Sequence, residues 1–484
     1  MLEDKTGKIS MRNLVRSRVG VGVIAGTVAL LVGVSITVFP QSHPRGLVGL
    51  AIDGMSSISS AEDAPLPTAQ ECDNIEAGSD CDVVREQLGQ DRLVFAEAAI
   101  NDVVSVEVSV SERVVPSLAA RQVQVKEFSF SESVGYYNWA MKPTQFITVH
   151  GDDFFLVAGD GVVLTGPVSG LLGGSDQTWR SIPSNLGEIF PVEVREPSKF
   201  SVKGAFATAG YLYVSASVNT VEEGFCWTTA VFRAPRSADR LTFEEFFQPN
   251  DCADPNREGA SFEPHQSGGA LFALADGRIA VGVGDYRQRE KAQDSQSQMG
   301  GMVAVSPETG QGETLAKGLR NPQGVVFDDM REALWIVDQG PSGGDEVNFL
   351  DLTHTGVTNF GWPISSYGRH YGGREIEGAP LHKSHRDYGF EEPRWHWNPS
   401  SPVSSVMLSP KNWPGDVIVG VLGNRPVKVV ERALHIFASS DDGSEVQLVD
   451  TVRLEDRVRS LTHLTDDMVL ATLDSGVVAV LSIK

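Results

Sequence analysis

Four polar, Gly/Pro-rich segments carry the residues of this chain best suited to chemistry. In PHQSGGALF, His265 stands in a Gly-rich turn ahead of a β-prone run. A histidine held there by backbone contacts can act as a general base, because its ordinary pKa lies near 6.5. The plainer reading is a structural or surface histidine. In GLRNPQGVVFD, Arg320 and Asn321 set a fork of donors on a rigid turn, suited to a carboxylate or quinone oxygen. The alternative is a connecting turn with a surface arginine. In VDQGPSGGDEVNFL, the Gln339-Gly340-Pro341 run exposes consecutive backbone carbonyls, the hard ligands Ca²⁺ prefers, and Asp345 and Glu346 add charge nearby. The D-x-D-x-D-G spacing of an EF-hand is absent. In DRVRSL, Arg457 and Arg459 alternate, so on a strand they share a face and invite an anion. Pairing with Glu455 or Asp456 on a solvated strand is the bland reading.

These segments need a scaffold that brings distant parts of the chain together. From about residue 145 a unit recurs: turn residues, a short β-prone run, then Gly or Asp. Its instances are GDDFFLVAGD, AGYLYVSAS, DGRIAVGVGD, REALWIVDQG, PGDVIVGVLG and DDMVLATLDSG, starting at Gly151, Ala209, Asp276, Arg331, Pro414 and Asp466. Strand clusters repeated at this spacing predict a six-bladed β-propeller, with an insertion or long loop between 340 and 414. Loops at one end of such strands surround a central channel, so residues of different blades converge there. An ordinary multi-sheet β domain is the alternative. The 49 Gly and 25 Pro favour short strands over long helices.

The 484 residues carry a formal charge of −23, which argues against sequence-independent binding to nucleic acid. With 41% hydrophobic and 21% charged residues, the chain is globular rather than disordered. Residues 1–18 carry a net +3 and precede 21 uncharged positions, Val19 to Phe39, closed by Pro40. About 20 apolar residues span a bilayer, and the basic flank orients the N-terminus inward. The expectation is a cytoplasmic tail over 1–18, a transmembrane signal-anchor over 19–39, a linker over 40–70, a small module or plug over 71–144, and an extracytoplasmic propeller over 145–484. A cleaved signal peptide is the alternative; both export the chain beyond residue 40. Four cysteines suit that compartment, and sequence proximity pairs Cys72 with Cys81 and Cys226 with Cys252. No Cys-x-x-Cys or Cys/His cluster supports zinc.

From about residue 145 onward the chain resembles the soluble pyrroloquinoline-quinone (PQQ)-dependent glucose, aldose and sorbosone dehydrogenases, which are six-bladed β-propellers. The resemblance rests on HQSGGAL, GLRNPQGVVFD, QGPSGGDEVN, NFGWP from Asn359, and RVR, in the family's order. It implies that His265 takes a proton from a sugar's anomeric hydroxyl while hydride passes to the quinone. Arg320 and Asn321 would donate to the quinone oxygens, where negative charge grows. Gln339, Asp345 and Ser400 would make further cofactor contacts, and Arg457 and Arg459 would neutralise its carboxylates. The carbonyls of Gly340 and Pro341 would hold a Ca²⁺ acting as Lewis acid. A small sugar and an electron acceptor are the implied partners. Three departures stand out. Pro264 precedes the base position, where the family often has an acid or amide. An early family glutamine has no counterpart, the nearest segment being FSVKGAFATAGYLYVS. Gly423 falls where the glucose enzyme has a lysine, with Arg425 close by in sequence. The fold also serves proteins without catalysis, so a propeller that binds a protein or glycan is the competing reading.

Overall fold

The six recurring runs are the second strands of six four-stranded blades, of which blades six and one run together in one ten-stranded sheet. The computed structural model describes residues 37–40, 48–51, 94–130, 134, 136–137, 143–189, 201–221, 225–256, 261–423 and 431–484. Blade one comprises Pro143–His150, Asp153–Ala158, Val163–Pro167 and Gln177–Ser181, and blade two Val202–Ala207, Tyr211–Asn219, Trp227–Pro235 and Glu244–Phe247. Blade three runs Gly268–Ala273, Ile279–Val283, Gly301–Val305 and Gly312–Lys317, and blade four Pro322–Asp328, Ala333–Asp338, Asp345–Asp351 and Trp395–Trp397. Blade five holds Val403–Leu408, Val417–Val421, Ala433–Ser439 and Val446–Arg453. Blade six takes three strands from the end of the chain, Val458–Thr465, Met468–Leu473 and Val478–Ile483.

Its fourth strand comes from far upstream. Gln122–Phe130 pairs antiparallel with Val478–Ile483, and Ser105–Pro116 pairs with both Gln122–Phe130 and Gln177–Ser181. Residues 105–130, expected within a separate module or plug, therefore complete blade six and tie it to blade one. The reason is an open edge: three strands leave Val478–Ile483 with unpaired backbone groups, and this hairpin satisfies them. The innermost strands pack each on the next, and that of blade six returns to that of blade one, which closes the ring of a propeller.

The second strands read as unbroken apolar runs because each blade is covered on both faces. Six apolar clusters result, each shared by two neighbouring blades. Phe154, Leu156, Trp179 and Leu470 join blades six and one, and Trp335, Val337, Val403 and Val419 join four and five. Each large side chain buried this way contributes about 1.5–3 kcal/mol.

Residues 1–65 form a separate compact unit, in which Thr37–Pro40 pairs antiparallel with Val48–Ala51. The expected span over 19–39 lies outside the described residues apart from Thr37–Phe39, which are strand rather than helix. Among the described residues no helix is long and apolar enough to cross a membrane. The chain after blade two's outer strand is tied back to the start of its third strand by the expected disulfide Cys226–Cys252; Cys72 and Cys81 lie outside the described residues.

Candidate active site

Successive strands of a blade are antiparallel, so inner strands begin and second strands end on the same rim. The site residues that the resemblance implies lie there. His265 precedes the inner strand of blade three, and Arg320 and Asn321 precede that of blade four. Gln339, Gly340 and Pro341 follow blade four's second strand, and Asp345 opens its third. Ser400 precedes the inner strand of blade five, while Arg457 and Arg459 begin that of blade six.

The residues of blade four form one network. Asp338 accepts the backbone N–H groups of Arg320 (2.9 Å) and Asn321 (2.6 Å). Burial pushes its carboxyl up to about 7. The Asn321 amide donates to Gln339 Oε1 at 2.9 Å and accepts from the Gly268 N–H at 2.8 Å, joining blades three and four. Gln339 donates in turn to the Val403 carbonyl of blade five at 2.6 Å. The buried Arg320 guanidinium donates from Nη1 to the carbonyls of Gln339 (2.7 Å) and Gly340 (2.9 Å), and its carbon lies 5.5 Å from the Trp362 ring centroid. Gln266, with its amide turned to suit both neighbours, donates to Asp285 (3.0 Å) and accepts from Arg320 Nη2 (2.9 Å). The Trp362 indole donates to the other oxygen of Asp285 at 2.8 Å.

Beside this network, His265 Nδ1 lies 2.7 Å from Glu263 Oε1, and Arg287 sits 3.1 Å from the other carboxylate oxygen. Hydrogen bonding and charge from His265, then the charge of Arg287, outweigh partial burial and hold Glu263 down to about 2. An ionised Glu263 accepts from Nδ1–H, so in the neutral form of His265 the lone pair lies on Nε2. That is the tautomer a general base needs. The acid expected immediately before the base position is Pro264, and Glu263, one residue further back, supplies the carboxylate.

Across the rim, Arg457 and Arg459 share Asp474. Arg457 Nε donates at 2.6 Å, and Arg459 donates from Nε (2.9 Å) and Nη2 (2.8 Å). Asp474 is buried; burial works to raise its pKa, but the charges of Arg459 and Arg457 hold it below the usual carboxylate range. Arg457 also reaches the Gly423 carbonyl at 3.4 Å; Arg425 lies outside the described residues.

The QGPSGG turn folds tightly on itself. A Cβ on Gly340 would sit 1.7 Å from the Gly344 carbonyl oxygen, so glycine is required. The Gly340 carbonyl accepts from Arg320 and that of Pro341 from the Gly344 N–H at 3.2 Å, and each retains a second lone pair. Asp345 is buried and takes the Ser400 hydroxyl on one oxygen at 2.5 Å, and its other oxygen has no partner among the described residues. Burial lifts its carboxyl to about 6. Glu346, next to it, is buried and raised well above its ordinary value by burial and by Asp338. Among the described residues no group of three His, Cys, Asp or Glu side chains forms a metal cluster.

The Glucose / Sorbosone dehydrogenase family model matches residues 199–481, more than half of the chain. The chain belongs to this family. It is 30% identical over 180 residues to the aldose sugar dehydrogenase YliI of Escherichia coli, a stretch covering 34% of this chain and 47% of that protein. The chain spans about half the length of the curated relatives it matches. Among solved structures, a glucose dehydrogenase superposes with a TM-score of 0.56 at 20% identity, covering 73% of this chain and 99% of that one. The PQQ-bound aldose sugar dehydrogenase of Streptomyces coelicolor gives 0.51 at 15% identity, covering 78% and 98%. These likenesses establish the glucose/sorbosone dehydrogenase fold.

The residues present fit the groups the family implies. Two carbonyls with spare lone pairs beside an unpartnered buried carboxylate oxygen are the hard donor set of Ca²⁺. Two arginines sharing one carboxylate retain charge for an anionic ligand such as PQQ, which carries three carboxylates.

Sequence reasoning passed over several members of this glucose/sorbosone dehydrogenase site, namely Glu263, Gln266, Asp285, Asp338, Trp362 and Asp474. A signal existed for three. Asp285, Asp338 and Asp474 close the repeated second strands in VGVGD, IVDQG and TLDSG, and each is buried.

Proposed function

We propose that this family member oxidises a sugar or related alcohol, with PQQ and Ca²⁺ held at the rim, and that the propeller works outside the cytoplasm on an N-terminal anchor. The observation that carries the reading is the Glu263–His265 pair on the same rim as the Arg320–Asn321–Gln339 network and the Arg457–Arg459 pair. Gly340, Pro341 and Asp345 would hold the cation, and Arg457 and Arg459 the cofactor's carboxylates. When bound, the quinone supplies a two-electron acceptor for hydride.

The chain's own residues do the rest. His265 Nε2 takes the proton of the substrate hydroxyl. Glu263 holds Nδ1–H and stabilises the imidazolium that forms, and Arg287 keeps Glu263 ionised. Asp338 and Gln266 orient Arg320, which is anchored on the carbonyls of Gln339 and Gly340. Anchoring before binding places a fixed positive charge where electron density grows, so little reorganisation is needed during reaction. The uncharged run over 19–39 with its basic flank supports the anchor, and the Cys226–Cys252 pair supports an oxidising compartment.

A screen of aldoses, sugar alcohols and sorbosone with protein reconstituted in PQQ and Ca²⁺ tests the reading by dye-linked turnover. Reduction above a cofactor-free control is the expected result. No reduction by any of them gives the case to a propeller that binds without catalysing.

A further inference from the structure

Two consecutive residues on the rim hold a backbone conformation that L side chains rarely adopt. Tyr286 and Arg287, in the loop after blade three's second strand, have φ of 49° and 68°. Left-handed backbone in bulky residues is unfavourable and persists only where the surroundings over-determine it. Here the surroundings include the turn that carries His265. The Tyr286 N–H donates to the Gln266 carbonyl at 2.9 Å, and the Tyr286 carbonyl accepts from the Glu263 N–H at 2.9 Å. The next residue, Arg287, reaches the Glu263 carboxylate. Phe262 stacks on the Tyr286 ring, with centroids 6.0 Å apart and planes 15° from parallel.

The side chain of Tyr286 runs the other way, into blade two. It is fully buried, and its hydroxyl lies 2.9 Å from Ser217 Oγ and 2.8 Å from Thr229 Oγ1. Ser217 and Thr229 face each other across blade two's second and third strands. Thr229 donates its proton to the Ser267 carbonyl at 2.5 Å, and a carbonyl can only accept. Thr229 therefore accepts from Tyr286, and Tyr286 accepts from Ser217. The chain of donors runs from Ser217 through the phenol and Thr229 to the backbone two residues after His265. Burial pushes the phenol above its ordinary value, so it stays a donor. Breaking a buried hydroxyl chain that is satisfied at every link is costly. The chain fixes the far end of Tyr286, so the near end keeps the left-handed backbone that the contacts to Glu263 require.

We propose that Tyr286 is the positioning residue for the Glu263–His265 pair: blade two holds its hydroxyl, while its backbone and the Arg287 that follows hold Glu263 against Nδ1. The inference rests on the reading of His265 as the base. Without the hydroxyl, residues 286 and 287 relax toward ordinary φ, and the N–H and carboxylate of Glu263 lose the partners that aim them. Glu263 then no longer selects the tautomer with the lone pair on Nε2. Arg457 and Arg459 lie on blade six and share Asp474, so the cofactor contacts proposed for them do not depend on Tyr286.

Tyr286→Phe removes the hydroxyl and keeps the ring. The expected result is a kcat about tenfold lower, with KM and PQQ affinity unchanged. Adding Tyr286→Phe to Glu263→Gln should cause no further loss, because both act through one carboxylate. Long-range proton–nitrogen NMR of the unliganded protein, with the His265 resonances identified by their loss in His265→Gln, reads the tautomer independently of turnover. At about pH 9, where imidazole is neutral, wild type should show a protonated Nδ1 and Tyr286→Phe a mixture of tautomers. A wild-type kcat and a single tautomer in folded Tyr286→Phe overturn the role of Tyr286 and leave the dehydrogenase reading intact. A tenfold loss that persists in the Glu263→Gln background overturns action through Glu263. No turnover by wild type overturns the dehydrogenase reading, while tautomers mixed in Tyr286→Phe alone still uphold the positioning. Should Tyr286→Phe not fold, Thr229→Val, which removes the hydroxyl that the phenol donates to, is read by the same measurements with the same expected results.

Discussion

Asp474 is the residue whose replacement should reveal most about the arginine pair. Asp474→Asn preserves shape but removes the carboxylate that takes three hydrogen bonds from Arg457 and Arg459. Breaking a buried ion pair by removing one partner costs about 3–5 kcal/mol. Arg457 and Arg459 keep 23% and 14% of their side-chain surface in solvent, so the lower end, about 3 kcal/mol, applies. For a unit of roughly 400 residues, an unfolding entropy of about 2 cal/mol/K per residue converts this to a drop of about 4 °C in melting temperature. The pH dependence has a definite sign. The folded-state pKa of Asp474 is depressed, so its stabilisation is present above the unfolded carboxylate value and is lost as pH falls through the folded one. Thermal melts should therefore separate the two proteins fully at pH 7 and equally at pH 5.5, and draw them together only below about pH 4. Equal melting temperatures at pH 7 would refute the claim that Asp474 compensates the arginines in the folded chain. A gap that widened on acidification would refute the sign.

Glu263→Gln should lower kcat by roughly 10²-fold with little change in cofactor affinity, because it disturbs the tautomer of His265 and not the arginines; steady-state kinetics beside cofactor titration check this. His435, buried and accepting from the Trp397 indole at 3.1 Å, is held down to about 4 by burial. Its unfolded form takes up a proton first, so stability should fall by about 3 kcal/mol between pH 6.5 and 4, and urea melts of His435→Gln should lack that decline. Removing the Cys226–Cys252 link, which closes a separation of 26 residues, should cost about 3.5 kcal/mol by loop entropy, read as a lower denaturant midpoint in the double serine variant.

The propeller was legible because its second strands are covered on both faces and must read as apolar runs, from DFFLVA to MVLATL. The closure was not, because Gln122–Phe130 is an amphipathic outer strand whose partner, Val478–Ile483, lies more than 300 residues away. Local patterning records that a strand has a buried face, not which edge it meets. The rim residues were legible where a motif sat on a turn, as with Arg320, Asn321 and Gln339. Glu263 was missed because a carboxylate two residues before a histidine has no significance until a bend turns both side chains to one side.

The central claim is that His265 on this rim removes a proton as the bound quinone is reduced. Anaerobic mixing of the PQQ- and Ca²⁺-loaded protein with its best aldose, followed by cofactor absorbance in a single turnover, tests it without an external electron acceptor. The account predicts rapid reduction in wild type and reduction about 10²–10⁴-fold slower in His265→Ala, with the same cofactor affinity in both. Reduction at the wild-type rate in His265→Ala, or none in the loaded wild type, would contradict it.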